Sequence, residues 1–191
     1  PQGVAGLEPH LIELSTGFVM LEMLALCLHH LNRGLDFHSS PGISKSWLNR
    51  MHAYARRNSQ AELWFQFTRF LSYANLHAAD LSRLDLSSAT LKCADLQYSN
   101  LQHVDLQYAS LQDSRLQNAN LQHANLQKAN LVNANLVDAN LHSAYLIDAN
   151  LTDVYLLEAN LIEARLQNAN LENAKLQYAR LNDAKLQNAN L

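Results

Sequence analysis

The chain has 191 residues, room for one large or two small folding units with a real core. A formal net charge of −3 and a pI of about 6.3 carry no basic excess, so nucleic acid is not expected as a direct ligand. The only two cysteines, Cys27 and Cys93, are far apart in sequence; this argues against a disulfide scaffold and suits a reducing, cytoplasmic setting.

Residues 1–70 hold all three prolines (Pro1, Pro9, Pro41) and all five glycines, whereas residues 71–191 hold neither type. A composition break that sharp places a domain boundary near Phe70. In the first segment Leu11, Leu14, Phe18, Leu21, Leu24, Ala25, Leu28 and Leu31 recur at helical spacing, between Pro9 and Gly34. Its most apolar stretch, Phe18 to Leu28, contains Glu22 and falls well short of the roughly 20 residues that cross a bilayer, so no membrane span is expected. Residues 35–44 read as a loop. Ser44 then caps a second helix through Trp47, Leu48, Met51 and Tyr54, closed by Arg56 and Arg57 against the helix dipole. Ser59-Gln60-Ala61-Glu62 matches a capping box for a short third helix through Leu63, Trp64, Phe67 and Phe70. Residues 1–70 are therefore expected to be an α-helical N-terminal cap or adaptor covering the first open edge of the segment that begins at Leu71.

From Leu71 to Leu191 leucine occupies every fifth position, twenty-five times without exception. On a helix a step of five turns the side chain by about 140°, and in a strand an odd step alternates faces. Either element would leave about half of these leucines in water, although burying each is worth roughly 1.5–3 kcal/mol. The chain must therefore turn at every repeat. Three residues after each leucine stands alanine in nineteen of twenty-four cases, the exceptions being Leu84, Ser99, Val104, Ser114 and Val154. Large and small residues thus fill a narrow interior, while the other three positions are mostly polar, as in Ala119-Asn120-Leu121-Gln122-His123.

This unit resembles the pentapeptide-repeat family, over about 121 of 191 residues with almost no departures. The resemblance implies a mainly β fold, a right-handed quadrilateral β-helix with four pentapeptides to a coil, about six coils over residues 71–191. Stacked at about 4.8 Å, these make a rod of roughly 29 Å. Weak internal support for a twenty-residue coil comes from Leu84 and Val104, His103 and His123, and the pairs Gln102/Gln122, Gln97/Gln117 and Gln107/Gln127, which would form external amide ladders.

The expected core includes Leu91, Leu111, Leu126, Leu131 and Leu151. A cluster of aliphatics just after the leucine, Val132, Val137, Ile147, Leu157 and Ile162 with Tyr155 alongside, is the candidate protein-contact patch on an otherwise polar wall. The bland alternative is that β-branched residues simply suit such a surface. His103, His123 and nearby His142 lack further ligands in their column, so no metal site is expected, and no cofactor is expected either. There is no Gly-rich phosphate loop, nucleophile motif or cleft, so no catalytic residues are assigned and the chain is not expected to be an enzyme.

The function expected is a structural or protein-interaction module, a rigid rod that presents a binding face to a protein partner. It can belong to a larger regulatory chain, since the sequence begins without Met and stops inside a repeat. An uncapped last coil is expected either to pair with a second copy as a homodimer or to continue into further chain. The alternative comes from the resemblance: some pentapeptide-repeat proteins modulate DNA gyrase by imitating B-form DNA with a strongly negative surface. Here the array has twelve acids and eight bases, and Lys128, Arg165, Lys175, Arg180 and Lys185 interrupt the acids.

Overall fold

A computed structural model describes Thr68 and residues 71–191, and the chain divides between Phe67 and Thr68. The helices expected within residues 1–70 lie outside the described residues, except that Thr68 itself is helical.

Each repeat is built around one tight turn. The residue three after the leucine donates its N–H back to the leucine carbonyl, as Ala124 does to Leu121 at 2.9 Å. The second central residue of every turn has a positive φ, from 52° at Ala78 to 62° at Arg83, and the first does not. That is the signature of a type II turn, a conformation usually given to glycine. Here it is adopted twenty-four times without one.

The remaining amides stitch coil to coil. The leucine N–H and the turn's second central N–H each donate to a carbonyl nineteen residues on, as Leu126 does to Tyr145 at 2.7 Å and Lys128 to Ile147 at 3.0 Å. The residue before the leucine donates backward by twenty-one, as Asn125 does to Val104 at 2.9 Å. The last amide, just after the leucine, is served by a side chain: Gln127 donates to Asn125 Oδ1 at 3.3 Å and Gln107 to Asp105 Oδ1 at 3.0 Å. That capping explains why Asn and Asp dominate the position before the leucine.

Twenty isolated parallel bridges, from Asn75↔Asp95 to Asn170↔Asn190, all join residues twenty apart. One coil is therefore four repeats. The structure departs from the mainly β expectation in one respect: among the described residues the pairing stays one residue wide and no extended strand forms. Two turn residues in every five leave too little straight backbone for a second rung.

The leucines from Leu71 to Leu171 are at most 5% exposed, and Leu91, Leu111, Leu126 and Leu131 are wholly buried, with Leu151 at 1%. Two serines replace alanine inside without stranding a hydroxyl. Ser99 donates to the Leu96 carbonyl at 2.6 Å and Ser114 to that of Leu111 at 2.7 Å. At the first coil the Thr68 carbonyl accepts from Leu71 and Thr90. At the other end Leu176, Leu181 and Leu186 are only half-buried and Leu191 is 74% exposed.

Candidate protein-contact surfaces

Because the coil is twenty residues, outward side chains sort into columns running along the rod. Val137 and Leu157 share one column, with Tyr155 beside Leu157 and 45% exposed. Val132, Ile147 and Ile162 stand in three other columns, so the structure does not gather all six residues of the expected patch. The five aliphatics are half-buried against the wall.

The same sorting shows what the aliphatics do to their neighbours. Gln102 donates to Gln122 at 3.1 Å, a rung of the expected amide ladder. Gln112, Gln117 and Gln167 instead each keep a buried Oε1 without a hydrogen-bond partner. One coil away in their columns stand Val132, Val137 and Ile147, which can offer no donor. The ladder rungs expected for Gln97/Gln117 and Gln107/Gln127 are not among the side-chain hydrogen bonds of the described residues.

The His103 and His123 rings stack at 4.9 Å between centroids, and His142 meets His123 edge-on at 6.0 Å. His142 Nδ1 lies 3.1 Å from the Ile162 carbonyl. Among the described residues no group of three or more His, Cys, Asp or Glu is placed to hold a metal ion. Cys93 is a free thiol, and the hydrogen bond donated to its sulfur by the Tyr73 hydroxyl, followed by the negative charge the sulfur carries when ionised, pushes the Tyr73 phenol above its ordinary range.

Charge follows the columns too. One runs Arg83, His103, His123, Ser143, Glu163, Asp183, from base to acid; its neighbour runs Asp85, Asp105, Asn125, Tyr145, Arg165, Lys185, from acid to base. Their C-terminal parts flank an open groove of about 420 Å³ lined by His123, Ser143, Tyr145, Glu163, Arg165, Asp183 and Lys185. Within it the Arg165 guanidinium lies over the Tyr145 ring at 4.8 Å, and Ser143 Oγ donates to Glu163 at 2.8 Å. Reading the sequence in steps of five misses this grading, which appears only in steps of twenty.

A profile of pentapeptide repeats, in eight copies, matches residues 71–107, 114–153 and 155–191, more than half of the chain. The chain belongs to the pentapeptide-repeat family. Proteins of this family form right-handed β-helices, and the twenty-residue coil described above is that architecture.

Among solved pentapeptide-repeat structures, the chain is 31% identical to HetL of the cyanobacterium Nostoc sp. strain PCC 7120, described as involved in heterocyst differentiation regulation. The match covers 62% of this chain and 70% of HetL, with a TM-score of 0.30. A thylakoid-lumen protein of Arabidopsis thaliana is 30% identical, covering 56% of this chain and 68% of its own, TM-score 0.34. Full-length QnrB1, a plasmid-mediated fluoroquinolone resistance protein, is 17% identical over 60% of this chain and 73% of its own, TM-score 0.32. No curated protein matches the sequence. Among the described residues no helix is long and apolar enough to cross a membrane.

Proposed function

We propose that this pentapeptide-repeat rod is a non-catalytic interaction module that presents one rigid wall to a protein partner in the cytoplasm. The observation that carries the reading is the Val137–Leu157 column with Tyr155 beside it: half-buried aliphatics and an exposed ring on a wall whose other outward positions are mostly polar. Apolar side chains with an amphipathic aromatic are what interface centres are made of. Val132, Ile147 and Ile162 serve the wall rather than this contact. Among the described residues the groove between the charged columns lies open to solvent and does not desolvate a reacting group, which supports a binding role over an enzymatic one.

Crosslinking in the native cell tests this. The intact rod is expected to capture a protein that Val137→Glu with Leu157→Glu loses, while the variant keeps its circular dichroism and melting temperature. Identical captures by both proteins would sink the contact assignment. A gyrase-directed DNA mimic is the reading less favoured, because Arg165, Lys175, Arg180 and Lys185 place four bases within the C-terminal coils. Purified gyrase is expected to supercoil DNA unchanged in the presence of the protein. End-on stacking of a second copy against the half-buried Leu176, Leu181 and Leu186 is a further arrangement this reading admits.

A further inference from the structure

In the second charge-graded column, the two bases at the C-terminal end are not what the rod's own hydrogen bonding calls for. Arg165 and Lys185 stand before a leucine, where Asn or Asp would accept the next-but-one amide; as pure donors they forgo that hydrogen bond for Gln167 and Gln187. They are also stacked as like charges by the Arg165↔Lys185 bridge. Among the described residues neither forms an ion pair, although Arg115, at the same repeat position, reaches Asp95 at 3.3 Å.

The grading has a symmetry. A two-fold axis across the rod sends the first coil of one copy onto the last coil of another, so a column running from base to acid meets itself running from acid to base. We propose that this face pairs with the same face of a second copy, the two rods antiparallel about an axis that passes between His123 and Ser143. Asp105 then faces Arg165, Arg83 faces Asp183, and the His103 imidazole stands opposite Glu163. At the centre Asn125 faces Tyr145. The occupant is a second copy and not a polyanion, because any partner with one sign of charge would be repelled by one column in each half of the face. The surface is a different pair of columns from Val137 and Leu157, and the inference does not depend on that contact.

Paired surface charges are screened by salt, so the dimer is expected to weaken about tenfold or more between roughly 50 and 300 mM NaCl. Two charge-reversed forms decide the arrangement in sedimentation equilibrium of the full chain: Glu163→Lys with Asp183→Lys, and Arg83→Glu with His103→Glu. Each alone is expected to be monomeric where the unaltered protein is dimeric. Mixed one to one, they are expected to recover the dimer, because across the antiparallel contact Arg83 again meets Asp183 and each introduced lysine meets an introduced glutamate. A parallel pairing, in which the two columns face one another coil by coil, would stay repulsive in the mixture. Failure of the mixture to dimerise, reversed forms that dimerise as well as the original, or an original that is monomeric at low salt would each overturn the proposal. Recovery also shows that both forms are folded.

Discussion

The residue with positive φ in each turn is where local chemistry is most exacting. A left-handed conformation costs about 1–2 kcal/mol in an ordinary L-residue, and Asn, Asp and His bear it best. Ten of the twenty-four such residues are Asn or Asp, two are His, and none is β-branched. One residue earlier, where φ is not positive, stand Val132, Val137, Ile147, Thr152 and Ile162. Two adjacent, outward positions thus differ sharply in what they accept. Lys128→Val is expected to destabilise the protein by about 1–2 kcal/mol in urea denaturation, and Gln127→Val by less than about 0.5 kcal/mol. The residue before the leucine is equally specific. Asn130 Oδ1 accepts the Val132 amide at 3.2 Å, whereas Ser110 provides no such cap to Gln112. Ser110→Asn is accordingly expected to raise stability, and Asn130→Ala to lower it, each by about 1 kcal/mol on the same denaturation curves.

At the scale of the coil, leucine and alanine periodicity made the interior legible because two inward positions per repeat leave a pattern that neither helix nor strand can accommodate. Leu126, wholly buried, tests it: Leu126→Asp places a carboxylate in the core and is expected to abolish cooperative unfolding, while Gln127→Asp on the outer wall leaves the melting temperature unchanged within error. The outer wall was less legible. Gln is so common after the leucine that spacing alone cannot tell which amides pair; the aliphatic one coil away decides it, as Val137 does for Gln117. A buried acceptor without a donor costs about 1–3 kcal/mol, so Gln117→Val is expected to be neutral or stabilising. Gln122→Val removes the acceptor of Gln102 and is expected to be destabilising; comparing the two urea midpoints measures the difference. The six-residue contact patch shows the same limit: five similar residues in similar repeat positions fall into four columns once the coil length is fixed. The turn conformation was hidden for another reason, since without glycine nothing marks a positive φ except the absence of β-branched residues.

Across the whole array, every coil is held by its two neighbours, so stability is close to a sum of nearest-neighbour terms and the ends are weaker than the middle. The two ends are also unlike. Thr68 receives amides of the first coil, whereas among the described residues the amides of Leu176, Leu181 and Leu186 have no backbone acceptor. Burial falls at the same place: Leu171 is 2% exposed, while Leu176 onward is half-buried or exposed. Opening of the last coil breaks one coil-to-coil interface where opening of a central coil breaks two, and so it is expected to occur without unfolding the remainder. Hydrogen exchange of the monomer reads this directly, with the amides of Leu121, Leu136 and Leu141, whose acceptors lie before the last coil, protected on the order of a hundredfold or more over those of Leu176, Leu181 and Leu186. Concentration then separates the two modes of self-association. Antiparallel pairing through the charged columns leaves the last coil's amides free, so their exchange stays fast as dimer forms. End-on stacking would offer them carbonyls, and slow exchange at Leu181 in the dimer would assign the association to the coil end.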